Sequence, residues 1–137
     1  MKEHISAVVP RTLPKPAGFS YGYEVKQGRL VFVAGQVARD EKNEVVGRGD
    51  IAAQFRQVCR NIQTVLSAAG GDMTDLVKLT IYVLDVAEYK KNLPAIGEVY
   101  REYFGKHFPA MTLVGARDLF DAADGCVIEI EGVAALA

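Results

Sequence analysis

The chain has 137 residues, sixteen basic against seventeen acidic, and a formal charge of −1, a size that suits one domain built on one sizeable core. With no run of like charge and no aromatic-interleaved basic stretch, it lacks the electrostatic footprint of a nucleic-acid binder. The N-terminal MKEHISAVVPRTLPKP carries no apolar region before a small-residue cleavage site, and no window approaches the ~18 apolar residues of a membrane span, so a cytoplasmic location is expected.

Residues 1–20, with Pro10, Pro14 and Pro16, read as an extended arm. Tyr21–Val25 and Leu30–Ala34 are β-branched and aromatic runs. Lys26-Gln27-Gly28-Arg29 lies between them and predicts a hairpin, with Gly28 free to take positive φ. After Gly35-Gln36 and a charged loop, Asp50 is placed to cap a helix. Ile51, Phe55, Val58, Cys59, Ile62, Val65, Leu66 and Ala69 then recur at three- and four-residue spacing up to Gly70-Gly71, which predicts an amphipathic helix lying on a sheet.

VKLTIYVLD over 77–85 alternates, with Val77, Leu79, Ile81 and Val83 on one face and Lys78, Thr80 and Tyr82 on the other, the period of a strand. Asp85 and Glu88 have the spacing of a capping box, and Tyr89, Leu93, Ile96, Val99, Tyr100, Tyr103 and Phe104 form the buried stripe of a second helix ending at Gly105. Pro94 either kinks this helix or restarts it. MTLVGAR (111–117) and CVIEIEGVA (126–134) are the last two strands. The order is therefore β-β-α-β-α-β-β, with both helices able to cover one face of a sheet.

In the last strand Val127, Glu129, Glu131 and Val133 share one face, while Cys126, Ile128 and Ile130 share the other. The isoleucines belong under the helices, so the carboxylates point away, ~6.6–7 Å apart. One reading leaves them wet on an open antiparallel sheet face. The flanking valines favour the other, a face covered by further copies of the chain, where a carboxylate of raised pKa could polarise a water. Cys59 and Cys126 stand in neither a CxxC nor a metal-type spacing and read as buried thiols. His4 and His107 have no ligand-spaced partners, so no metal site is expected.

Gly35-Gln36 after the first strands, the Asp50-led helix ending AAGG, VKLTIYVLD, VYREYF (99–104), FPAMTLV (108–114) and IEIEGVA (128–134) together resemble the RidA/YjgF family from about Tyr21 to the C-terminus. The resemblance implies a chorismate-mutase-like α/β (α+β) fold, a single mixed sheet with two helices packed on one face. It also implies a homotrimer with small-molecule clefts between subunits and hydrolysis of reactive enamines and imines to keto acid and ammonia without a cofactor. By position, Glu129 matches the carboxylate that orients the attacking water, and Tyr21 an aromatic hydroxyl lining the cleft. Gly35 lies where backbone approaches the substrate, and Thr112 follows the main binding position.

That main position is an arginine in active deaminases of the family, and here it is Met111. A hydrogen bond to a charged group contributes roughly 1.5–3 kcal/mol, about 10- to 150-fold in binding, and bidentate geometry also fixes orientation. Arg117 lies six residues on in the same predicted strand, roughly 20 Å away. A replacement cation must come from elsewhere, and Arg11, Lys15, Arg29 and Arg101 are the candidates. Two functions follow: an enamine/imine hydrolase with altered substrate choice, in which Met111 forms a soft apolar wall, or a non-catalytic small-molecule-binding trimer of the same fold.

Overall fold

A computed structural model describes residues 2–137 of the chain. Nine regular elements follow the order β1 (Ile5–Val8), β2 (Gly22–Val25), β3 (Arg29–Gln36), α1 (Ile51–Ala68), β4 (Leu76–Val83), α2 (Val86–Lys91), α3 (Leu93–Phe104), β5 (Ala110–Gly115) and β6 (Ile128–Leu136). Short 3₁₀ turns at Met73–Asp75 and Ala122–Asp124 connect them. No helix among the described residues is long and apolar enough to cross a membrane.

The expected mixed sheet is four-stranded, in the order β3-β6-β4-β5, with β4 and β5 parallel and the other pairs antiparallel. The helices cover one face of it. Ile51, Phe55, Val58, Ile62 and Leu66 of α1 and Ile96, Val99 and Phe104 of α3 pack on Leu79, Ile81, Ile128 and Ile130. Burying each large aliphatic or aromatic side chain contributes about 1.5–3 kcal/mol relative to exposure. Asp50 caps α1 as expected, its carboxylate accepting from Ala53 N at 3.1 Å.

Four details differ from the sequence reading. The N-terminal arm is not wholly irregular, because Ile5–Val8 pairs antiparallel with β2 as a separate two-stranded sheet. Consequently β2 and β3 do not pair as a hairpin. Gly28 does take φ 119°, but a Cβ there would also lie 2.0 Å from the Leu136 carbonyl oxygen, so the turn is shaped by β6 as well. Val77 leaves the alternation of β4 at a register shift between Leu76 and Lys78 and joins a second apolar cluster with Ile5 and Ala135.

The fourth detail concerns the helix after β4. Asp85 accepts from Glu88 N at 3.1 Å, but the Glu88 side chain turns to Asn92 instead of closing a capping box. The helix breaks at Asn92 and restarts with Pro94 in the first turn of α3, where a missing N–H costs nothing. Leu93, expected in the stripe, is 48% exposed. It sits instead at the rim of a hollow between α3 and the sheet.

Candidate functional site

Glu129 is where the alternation of β6 puts it, half-buried on the sheet face away from the helices, while Ile128 and Ile130 are buried beneath them. The start of β6 is pinned by Gln54, a fully buried amide on α1 that the sequence reading passed over. Its Nε2 donates to the carbonyls of Val46 (3.2 Å) and Gly125 (2.9 Å), and its Oε1 accepts from Val127 N at 2.9 Å. Two of these three bonds hold Gly125 and Val127 on the approach to Glu129, the third ties in the loop before α1, and one lone pair is left over.

Gly35 lies directly against Glu129. The β3–β6 register shifts between Val33 and Gln36, and a Cβ on Gly35 would come 2.1 Å from Glu129 Oε2. The carboxylate therefore occupies the space that any side chain at 35 would need. Glu129 has no hydrogen bond or ion pair from another side chain among the described residues. Its pKa is raised above the ordinary 4.5 by burial first, then by the nearby charges of Asp121 and Glu131. Asp121 is itself clamped by Arg39 at 3.2 Å, and Arg39 also reaches Asp124 at 2.8 Å. Desolvation therefore decides the direction of the shift.

The same face carries Thr112, which pairs across β4 with Thr80 and so with Glu131. Lys78, a cation missed from sequence, donates to Thr112 Oγ1 at 3.1 Å. The Tyr82 hydroxyl lies 3.4 Å from Glu131 Oε1. Leu30 (52% exposed) and Phe32 (74%) flank these groups on β3, giving an apolar border to a face with two carboxylates.

Met111 is on the opposite side of the sheet. It pairs with buried Leu79 and packs against the helix core, and it lines a hollow of about 340 Å³ between α1, α3 and the sheet. Tyr100 forms one wall, stacked at 4.3 Å on Phe104 and 5.4 Å on Phe108. Its hydroxyl donates to the His107 carbonyl at 2.7 Å, so the wall is fixed at both ends. Cys59 also lines the hollow, and burial pushes its thiol up to about 12, leaving it protonated and inert.

Of the four candidate cations, Arg101 lines this hollow with Met111. Lys15 lies by Val8 and Pro14, Arg29 borders Ala137 at the far end of β3, and Arg11 is exposed in the arm. Tyr21 is not brought to Glu129 within the chain. Its hydroxyl donates to the Pro14 carbonyl at 2.7 Å and its ring meets Phe19 edge-on at 5.3 Å. The neighbouring Ser20 bridges to Ala110, which ties Tyr21 to the Met111 end of β5. His4 and His107 each bond a backbone carbonyl, of Ala135 and Leu76 respectively, both at 2.6 Å.

The chain thus carries two features on opposite sheet faces, a partly buried carboxylate over a glycine and an apolar hollow with a cation at its rim. A family model described as endoribonuclease L-PSP matches residues 12–136. The 3-aminoacrylate deaminase RutC of Acinetobacter baylyi is 40% identical over 103 residues, 75% of this chain and 78% of its own length. A human 2-iminobutanoate/2-iminopropanoate deaminase is 31% identical over 114 residues, 83% and 78% of the two chains. The crystal structure of the Rid-family protein YyfB from Yersinia pestis, described as of unknown function, superposes with a TM-score of 0.84. It is 35% identical, covering 97% of this chain and 99% of that one.

Proposed function

Because this chain belongs to the endoribonuclease L-PSP family, also called YjgF/RidA, we propose that it hydrolyses reactive enamines and imines to the keto compound and ammonia. The observation that carries this reading is Glu129, a carboxylate kept without a side-chain partner, its pKa raised, over a glycine that leaves it room. An unpaired, partly desolvated carboxylate costs folding energy, and water activation gives it a use. In the ionised form it accepts a proton as the water oxygen bonds the C=N carbon. That proton passes to the nitrogen, and the carboxylate then carries the proton of the new hydroxyl to the same nitrogen as the C–N bond breaks, so that ammonia leaves and the carbonyl forms.

One chain cannot bring Glu129 and the Met111 hollow to the same substrate, since a sheet lies between them. A homotrimer, the assembly implied by the family resemblance, would complete each cleft by setting one copy's Glu129 face against another's hollow. The apolar border made by Leu30 and Phe32 supports such covering. Tyr21, Gly35 and Thr112 would then act as cleft wall, backbone approach and neighbour of the binding position. The second reading, a small-molecule-binding trimer without catalysis, is favoured by Met111 standing where a carboxylate-gripping cation would be.

The deciding experiment is ammonia release from imines generated in place by an amino-acid oxidase. Acceleration over the uncatalysed rate is expected. A wild-type protein inert towards every imine supplied would leave the binding reading as the better one. Gly35→Ala tests the geometry around the carboxylate. The methyl should swing Glu129 aside at little cost in melting temperature, because the end of the glutamate is flexible, while kcat falls by up to about 10²-fold for a displacement of ~1 Å. Met111→Arg is expected to lower KM for small imino acids by roughly 10- to 150-fold, the worth of a charge-assisted hydrogen bond.

A further inference from the structure

The hollow beneath α3 has a composition that points to a class of ligand. Its walls are Leu79, Ile81, Ile130, Tyr100, Phe108 and Met111, among others. The charged side chains lining it are Arg101 and Lys106, both cations, and no carboxylate lines it. Neither cation forms an ion pair among the described residues. A volume of about 340 Å³ falls within the range of small-molecule sites.

Gly97 lines the hollow beside Arg101. It lies one helical turn before Arg101, and a Cβ there would sit 3.5 Å from Arg101 Nη1, so the guanidinium folds back over a position that has no side chain. Arg101 is exposed and lines the hollow, so its cation stands at the mouth, beside the apolar walls. Met111 lengthens the apolar lining without closing it.

We propose that this hollow selects imino acids with a branched aliphatic or aromatic side chain, the side chain entering between α3 and the sheet and the carboxylate meeting Arg101. This assignment rests on the hydrolase reading above. The reaction is a hydrolysis and needs no redox partner. Water's oxygen bonds the imine carbon, the C–N bond breaks, and nitrogen leaves as ammonia with both protons of the water, giving the corresponding keto acid. Each buried methylene contributes up to about fourfold in affinity. A leucine-derived imine should therefore be preferred over an alanine-derived one by on the order of tenfold or more.

Two measurements test this. Calorimetric binding of the product keto acids should follow the order 4-methyl-2-oxopentanoate and phenylpyruvate tighter than pyruvate. Ammonia release from leucine, phenylalanine and alanine imines should show the same order in kcat/KM. Arg101→Gln should raise KM for all three by roughly 10- to 150-fold, with kcat much less affected. Gly97→Leu, in a helix that tolerates leucine better than glycine, should fill part of the hollow and lower kcat/KM for the leucine and phenylalanine imines more than for the alanine imine.

Equal binding of all three keto acids, or an unchanged KM in Arg101→Gln, overturns the assignment. Hydrolysis of every imine without preference does so too, while the hydrolase reading stands. Binding in the expected order with no imine hydrolysed overturns the hydrolase reading and the substrate assignment with it, leaving a keto-acid site.

Discussion

Glu129→Gln is expected to lower kcat for imine hydrolysis by about 10²- to 10⁴-fold, the range lost when a general acid–base group is removed, with the fold intact. The amide matches the carboxylate in size, so it keeps the place over Gly35, but it cannot take a proton from water. The pH profile gives a second readout. Water activation needs the ionised form, so wild-type activity should rise with pH through a value above the ordinary 4.5. That rising limb should vanish in the residual activity of Glu129→Gln.

Stability moves the opposite way. Folding raises the pKa of Glu129, so the folded chain holds the proton more tightly than the unfolded one. The stabilisation is fully present below the ordinary carboxylate value and is lost as pH rises through the folded value. At neutral pH the glutamine variant should therefore melt at or slightly above the wild-type temperature. A variant that kept full activity would show that Glu129 is a bystander. One that lost activity and melting temperature together would point to a structural role for the carboxylate.

The elements that position Glu129 were legible in the sequence because their signals are local. The three- and four-residue spacing of Ile51, Phe55, Val58 and Ile62 gives α1, and the alternation of Ile128, Glu129, Ile130 and Glu131 gives the facing of β6. What could not be read is what depends on a distant partner. Ile5–Val8 is too short to announce a strand until β2 lies beside it. The hairpin signal at Gly28 marked a turn but not its pairing, because β2 pairs with β1 and β3 with β6. Gln54 shows in the helical pattern only as a polar interruption, and its role needs Gly125 and Val127 brought 71 and 73 residues along the chain to meet it. Arg101 carries no sequence mark that separates it from a solvated surface charge. Only the approach of α3 to β5 puts it above Met111's hollow.

If the chain assembles as the proposed homotrimer, Phe32→Asp should reduce it in solution from three chains to one and abolish the proposed imine hydrolysis with it. Phe32 is 74% exposed in the single chain and stands opposite Val133, on the sheet face that carries Glu129. If that face is covered by another copy, each phenyl ring contributes about 1.5–3 kcal/mol of burial. The aspartate removes this and leaves a carboxylate to be desolvated without a partner, repeated at each symmetric contact. The monomer should still melt cooperatively, because Phe32 lies outside the core formed by α1, α3 and the sheet. Its loss of activity would follow from geometry, since Glu129 and the Met111 hollow lie on opposite faces of one sheet. Light scattering coupled to size exclusion, run beside the ammonia assay, separates the outcomes. Loss of assembly and activity together supports a cleft shared between copies. A fully active monomer, whether wild type or variant, would require the substrate to reach Glu129 without the hollow, and the shared cleft would have to be abandoned.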